Sequence, residues 1–278
     1  MSSYAKTFSE YKGDQITYNH IKVERPLEYD LPVHTHDVCE MLLIKSGNVS
    51  GIINAKSYEL TKNCLIIFRA NIPHRIMVND NTDYERYDII FDENSLANKV
   101  FCKLSEELNI INLNGNSQVI ELFKKLDYYC DNFIGSDLKC VVTNVVEEIL
   151  FNLSIIRNVG IDSHLISSQP ILCKGIDYID SHYTEDIKIE DISKHLSVTK
   201  SHLHHLFTDN LHIRPKKFIN IKRLSKAQGL IRMGEAPSSV YLNCGFNDYT
   251  TFFRSYVSYF GHSPSDENKM PIERKLES

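Results

Sequence analysis

The sequence predicts an α+β chain of two unlike domains: an antiparallel β-domain with helices appended, then an all-α domain. Three observations carry this. Short apolar or alternating stretches at 16–23, 41–44, 50–54, 65–68 and 84–91 are separated by turn residues such as Lys45-Ser46-Gly47-Asn48 and Asn79-Asp80-Asn81, the pattern of an antiparallel sandwich or barrel. From about residue 94 the apolar spacing lengthens to the helical period. Beyond a polar stretch at 162–170, read as a linker, every remaining segment is helical in pattern. The length of 278 residues suits two domains of roughly 100–200 residues each.

Composition removes several classes. With 42% hydrophobic and 24% charged residues the chain is neither disordered nor collagen-like. No apolar run exceeds four residues, whereas a bilayer span needs about 18, so no membrane association is expected. The first thirty residues are polar and lack the apolar core of a signal peptide, which predicts a cytoplasmic protein. Seven cysteines without a CxxC pair argue for free thiols in a reducing compartment and against a cysteine-based zinc site. No phosphate-binding loop or GxSxG elbow is present, and the chain is not expected to be an enzyme.

In the middle of the chain Val119, Leu122, Phe123 and Leu126, then Val142, Val145, Val146, Ile149 and Leu150, mark two amphipathic helices. They either pack on the β-domain or form a dimer interface. A homodimer held there would set two copies of the last domain about one two-fold axis.

The last domain shows one pattern twice. Ile189, Ile192 and Leu196 mark a short helix, a Ser197-Val198 turn follows, and Thr199 caps a helix with Leu203, Leu206 and Phe207 inside. Its outer positions are Lys200, Ser201, His202, His204 and His205. A second short helix from Pro237 ends at Gly245. Asp248 then caps a helix with Phe252, Tyr256 and Tyr259 inside and Tyr249, Thr250, Thr251, Phe253 and Arg254 outside. Two such units, joined by a helix from about 215 to 233, read as a pair of helix-turn-helix motifs.

Charge agrees. The net charge is −5, yet residues 194–232 hold nine basic residues (194, 200, 214, 216, 217, 222, 223, 226 and 232) and one acid, Asp209. A basic segment on an acidic chain suits a polyanion.

Residues 244–254 read Cys-Gly-Phe-Asn-Asp-Tyr-Thr-Thr-Phe-Phe-Arg and residues 260–264 read Phe-Gly-His-Ser-Pro. With Leu203, Leu206, Phe207, Arg223, Leu224 and Ala227 upstream, residues 169–269 resemble the AraC/XylS family of bacterial transcription regulators. The resemblance implies a sequence-specific regulator that places two recognition helices in successive major grooves of double-stranded DNA and works with RNA polymerase. Tyr241, His212, Val257 and Glu267-Asn268 depart from the family pattern, which lowers the phosphate contact expected of the second unit.

The N-terminal half resembles the cupin-type sensor domain of such regulators through His34-x-His36-x3-Glu40-x6-Gly47 and Pro73-His74. In metal-binding cupins these positions supply three imidazoles and a carboxylate to a divalent ion such as iron or manganese. Three roles for His34, His36, Glu40 and His74 stay open: contact with a small-molecule effector such as a sugar or other metabolite, a divalent metal, or structural hydrogen bonding. The resulting layout is a cupin-like sensor domain at 1–95, a helical dimerisation and linker region at 96–165, and a double helix-turn-helix domain at 170–270. Two other functions remain: a metal-dependent cupin enzyme fused to a DNA-binding domain, and a ligand-independent regulator controlled by protein partners.

Overall fold

The computed structural model describes residues 4–24, 33–54, 56–96, 101, 104, 109–156 and 165–270. The strands are β1 (Tyr4–Lys12), β2 (Ile16–Glu24), β3 (Cys39–Ser46), β4 (Val49–Ile53), β5 (Lys56–Leu60), β6 (Cys64–Phe68), β7 (His74–Val78), β8 (Tyr84–Phe91), β9 (Ile110–Asn112) and β10 (Leu165–Ser168). They form two antiparallel sheets, ordered β1-β2-β8-β3-β6-β9 and β10-β5-β4-β7. Leu42 and Ile44 of β3 and Ile66 and Phe68 of β6 point between the sheets, onto Tyr58, Leu60 and Ile76. Met41, Leu43, Leu65 and Ile67 point to the opposite face. Both faces of β3 and β6 are therefore covered, which is why their sequences are unbroken apolar runs rather than alternating ones.

What covers the outer face is the helical hairpin α1 (Ser117–Asn132) and α2 (Gly135–Ser154). Val119, Leu122, Phe123, Leu126, Val142, Val145, Val146, Ile149 and Leu150 are all buried against this sheet. Of the two roles open to these stripes, core packing is the one they play. The expected dimer interface is already occupied within the chain, since a stripe buried in its own core offers no face to a second copy. The expected boundary at 95/96 likewise falls inside one core, with β9 on the sheet edge and both helices on its face. The linker expected at 162–170 also differs. Residues 165–168 form β10, paired with β5, and α3 starts at Pro170. Residues 162–164 lie outside the described residues.

The C-terminal domain contains α3 (Pro170–His182), α4 (Ile189–His195), α5 (Lys200–Leu211), α6 (Pro215–Arg232), α7 (Pro237–Asn243) and α8 (Tyr249–Phe260), closed by a 3-10 turn, Pro264–Lys269. It has two small cores that share α6. Phe218, Ile219 and Ile221 pack with Leu203, Phe207 and Leu211 of the first unit. Leu224, Ala227 and Ile231 pack with Val240, Phe252, Tyr256 and Phe260 of the second. Leu206 and Tyr259, expected inside, are only half-buried, and Leu211 and Phe260 take the buried places.

Backbone handedness marks the unit boundaries. Gly245 turns at φ +84, where a Cβ would lie 2.9 Å from the Tyr183 and Thr184 carbonyls and from Arg223 Nε. Ser197 occupies the corresponding turn at φ +54. The helix after each turn ends in a left-handed residue, Gly261 at φ +75 and His212 at φ +56. A Cβ in that conformation is strained and glycine is not. His212 is exposed, so His212→Gly is expected to stabilise the fold by about 0.5–1 kcal/mol. Urea unfolding followed by far-ultraviolet circular dichroism, with its midpoint compared at constant slope, checks this.

Among the described residues, no helix is long and apolar enough to cross a membrane. Six cysteines are free thiols, and Cys102 lies outside the described residues.

Candidate nucleic-acid interface and sensor site

The two recognition helices are held at their N-termini by side-chain caps. Thr199 Oγ1 accepts the His202 N–H at 3.1 Å. The Asp248 carboxylate accepts the Thr251 N–H and hydroxyl, each at 2.7 Å. Those bonds hold the Asp248 carboxyl below its ordinary value. Thr199 and Thr251, expected at the DNA surface, therefore have their hydroxyls engaged in fixing the helix starts. In α5, Lys200, Ser201, His202 and His205 are exposed and His204 is half-buried. In α8, Tyr249, Thr250, Thr251, Phe253 and Arg254 are all exposed. The Tyr241 ring, where a small residue was expected, is accommodated 5.7 Å from the Tyr249 ring and 6.4 Å from Phe252. Arg254 and Lys217 line a cleft of about 310 Å³ between α6 and α8.

The basic run is less available than its count suggests. Lys200 pairs with Glu190 of α4. Lys222, 6% exposed, pairs with Asp180 at 2.8 Å. Arg223 donates to the carbonyls of Tyr183 at 2.6 Å and Glu185 at 2.7 Å, so it ties α6 to the end of α3. Arg232 binds Glu267 and Asp37. Of the nine basic positions, Lys222, Arg223 and Arg232 are turned to partners inside the fold, half-buried Lys226 lies 5.8 Å over the Tyr183 ring, Lys200 is an exposed charge shared with Glu190, and Lys194, Arg214, Lys216 and Lys217 are exposed charges outside those pairs.

Glu267 was read only as a departure from the family pattern; in the fold it is a hub. Its buried carboxylate accepts from Gln228 (2.9 Å), Arg232 (2.7 Å), Tyr256 (2.5 Å) and His262 (2.6 Å). Burial pushes the carboxyl up, but the Arg232 charge and these donors outweigh it and hold it below its ordinary value. Nothing local in the sequence marks the role, since its partners sit 5–39 positions away.

In the β-domain His34, His36, Glu40 and His74 come together, with one potential ligand atom from each lying within 4.8 Å of the others. Glu40 lies on β3, whereas His34 and His36 precede it in a loop, and His34 forms an isolated bridge with His74. His36 Nδ1 and His74 Nδ1 each lie 2.7 Å from a backbone carbonyl, of Val38 and Ile72. A carbonyl can only accept, so both Nδ1 atoms carry a proton, and in a neutral ring the Nε2 atom is then a lone pair. Burial drives the His74 pKa down to about 4, which outweighs the pull of Glu40; its ring is neutral at pH 7. Yet both Nε2 atoms face Glu40 Oε2, at 3.1 and 3.2 Å. Three imidazoles and a carboxylate gathered this closely could hold a cation. The backbone bonds that orient the rings are the outer shell metal-ligating histidines use, and the residues fit a divalent ion of the iron, manganese or zinc type.

The helical domain docks beside this site. The Tyr259 hydroxyl donates to the Thr35 carbonyl at 3.3 Å, and Arg232 pairs with Asp37 at 3.0 Å. Val33 and Ile52 share a core with the helices of the first unit.

A helix-turn-helix domain family model matches residues 192–270. The chain is 23% identical over 252 residues to the HTH-type transcriptional activator RhaS of Shigella sonnei, covering 85% of this chain and 87% of that protein, and equally so to RhaS of Escherichia coli. These matches join the double unit, the Gly245–Asp248–Phe252–Arg254 spacing and the capped helices already described. Together they support an AraC/XylS-family transcription regulator. Among solved structures, this regulator is similar to apo ToxT from Vibrio cholerae (15% identity, 97% of this chain and 98% of that one, TM-score 0.42). It is also similar to an AraC-type regulator from Chromobacterium violaceum (25% identity, 36% and 91%, TM-score 0.35). The chain carries a helix-turn-helix domain behind an antiparallel β-domain.

Proposed function

We propose that the protein is a transcription activator, not an enzyme, whose β-domain takes up a small-molecule effector and controls DNA binding by the helical domain. The observation that carries this is the pair of capped helices, α5 and α8, each presenting its first two turns outward from a shared α6. A helix entering a major groove reads bases with those turns. In this reading Ser201, His202, His204 and His205 read one groove and Tyr249, Thr250, Phe253 and Arg254 the next, while Lys200, Lys216 and Lys217 neutralise phosphate. RhaS, named as an activator, supports the sign of regulation. The protein works in the cytoplasm with RNA polymerase. It binds as a homodimer through a surface other than the buried stripes; Tyr128 and Phe151 on the outside of α1 and α2, with Ile155 just beyond α2, are exposed apolar candidates.

At the sensor site His34, His36, Glu40 and His74 hold a divalent metal. Such an ion supplies positive charge that offsets Glu40 and accepts the imidazole lone pairs. It would tie the loop carrying His34 and His36, β3 and β7 to one point beside the docked domain.

Footprinting on duplexes selected from random DNA tests the reading. Arg254→Ala is expected to lose about 1–3 kcal/mol of discrimination at one or two base pairs, the worth of a bidentate arginine–guanine contact. His204→Ala/His205→Ala is expected to blank the adjacent groove. Unchanged footprints and affinities in both variants would remove these helices from the interface. No duplex selected at all would remove the function.

A further inference from the structure

The two recognition helices differ in what they show to the outside. The outer positions of α5 are polar, whereas the 12 residues of α8 carry a single charge, Arg254. Tyr249 and Phe253 stand one helical turn apart and are 37% and 38% exposed. Half-buried Val257 extends this row by a further turn, and Thr250 and Arg254 form a polar row beside it. The aromatic row is propped by its neighbours. The Tyr249 ring lies 5.7 Å from Tyr241 and 5.8 Å from Phe252, and the Phe253 ring lies 6.2 Å from Tyr249. Tyr241 and Val257, two departures from the family pattern, therefore both build the same flank of the helix.

Contiguous apolar surface is unfavourable in water and marks a face that is covered in use. Position decides what covers this one. Phe253 lies in the second turn after the Asp248 cap and next to Arg254, so whatever meets Arg254 meets Phe253 as well. On the edges that base pairs show in the major groove, the one methyl group is the C5-methyl of thymine; the other groups there are hydrogen-bond donors and acceptors. A ring already held by its neighbours also gives up little rotamer freedom when it makes that contact.

We propose that α8 selects thymine: Phe253 and Tyr249 pack on thymine C5-methyl groups in the major groove, while Arg254 takes a neighbouring guanine. The two units then divide the readout. The polar side chains of α5 read hydrogen-bonding edges, and the aromatic row of α8 reads methyl groups. This rests on the proposed reading of α8 as a helix that enters a groove, and it names the bases that the helix selects.

The test uses the full-length protein and duplexes selected from random DNA. Each thymine of a selected site is replaced in turn by uracil, which removes the methyl and keeps every hydrogen-bonding group. Burying one methyl is worth about fourfold in affinity, so uracil at one or two positions is expected to weaken the parent by about that factor each. Those positions should flank the base pair whose discrimination Arg254→Ala loses. In Phe253→Ser the uracil penalty at the same positions should vanish, because the two changes remove one contact and do not add. Cytosine placed there should weaken the parent, and 5-methylcytosine should recover about fourfold for the parent and nothing for Phe253→Ser. The Phe253 side chain is exposed, so the variant should melt as the parent does, and the uracil series on the parent needs no variant at all. Uracil tolerated at every thymine overturns the proposal and leaves DNA binding standing. So does a uracil penalty that is equal in the parent, Phe253→Ser and Tyr249→Ala, which assigns the methyl contact to another side chain. A Phe253→Ser protein that binds every duplex as the parent does, yet no longer activates transcription by RNA polymerase, makes the row a protein-docking face and overturns the proposal too. If no duplex is selected at all, the regulatory reading falls together with this one.

Discussion

Glu267→Ala is expected to destabilise the helical domain by about 3–5 kcal/mol, because it leaves several buried donors around an empty position. Gln228, Arg232, Tyr256 and His262 all point at that carboxylate. They come from α6, from α8 and from the segment just beyond α8, so the loss should unfasten the second unit as a whole. Arg232 keeps Asp37 as a partner, and Glu267→Gln, which keeps one acceptor oxygen, should cost less than the alanine variant. The chain has no tryptophan, so urea unfolding is followed by circular dichroism at 222 nm. The pH dependence has a definite sign. A carboxyl whose folded pKa lies below its ordinary 4.5 contributes fully above that pH, and its contribution is lost as pH falls through the folded value. Acid should therefore weaken the parent more than Glu267→Ala. Equal midpoints for parent and alanine variant at neutral pH would refute the hub.

Divalent metal is expected to raise the melting temperature of the parent and to leave Glu40→Gln unmoved. At a hundred times its dissociation constant a ligand adds about 2.7 kcal/mol to the folded state, which for a chain of this size is a shift on the order of 5–10 °C. The variant retains the shape at position 40 and loses the negative charge that, with His34, His36 and His74, makes the cluster a cation site. Its amide can also donate to the imidazole lone pairs 3.1 and 3.2 Å away, so it should stay folded without metal. Calorimetric melts with zinc, manganese or iron(II) against a chelator, on both proteins, decide the matter. A parent that melts identically with and without each metal removes the ion from the proposal.

Much of the fold was legible because it is local. Short apolar or alternating stretches bounded by turn residues located strands β2, β3, β4, β6 and β8, and period-3.6 stripes located α1 and α2. Thr199 and Asp248 announced the starts of α5 and α8, since a capping side chain bonds backbone two or three residues away. The strands that escaped notice, β1, β5, β7, β9 and β10, are edge or near-edge strands with mixed or polar sequences. Their place comes from pairing with a neighbour.

The candidate site divides along the same line. Types and spacings at His34, His36 and Glu40 picked out three members of the cluster that His74 completes, and the repeated capped pattern at Thr199 and Asp248 picked out α5 and α8. The fate of each charge did not follow from its position in the run. Lys200, exposed like Lys216, is paired with Glu190, and Lys222, Arg223 and Arg232 turn to partners inside the fold. The apolar stripes of α1 and α2 show the same limit. Periodicity states that a face must be covered, and only the packed sheet states what covers it.

By itself, then, the sequence determined an antiparallel β-domain, a doubled helix-turn-helix and the side chains at their surfaces, all features written in spacings of a few residues. The tertiary structure alone decided that the middle helices belong to the β-domain core, and that Glu267 holds the second unit closed. It alone set Asn71 and Asp37 against α6 across separations of 151 to 195 residues. Contacts at that distance along the chain leave no periodic trace, because their partners are neighbours only in the folded chain.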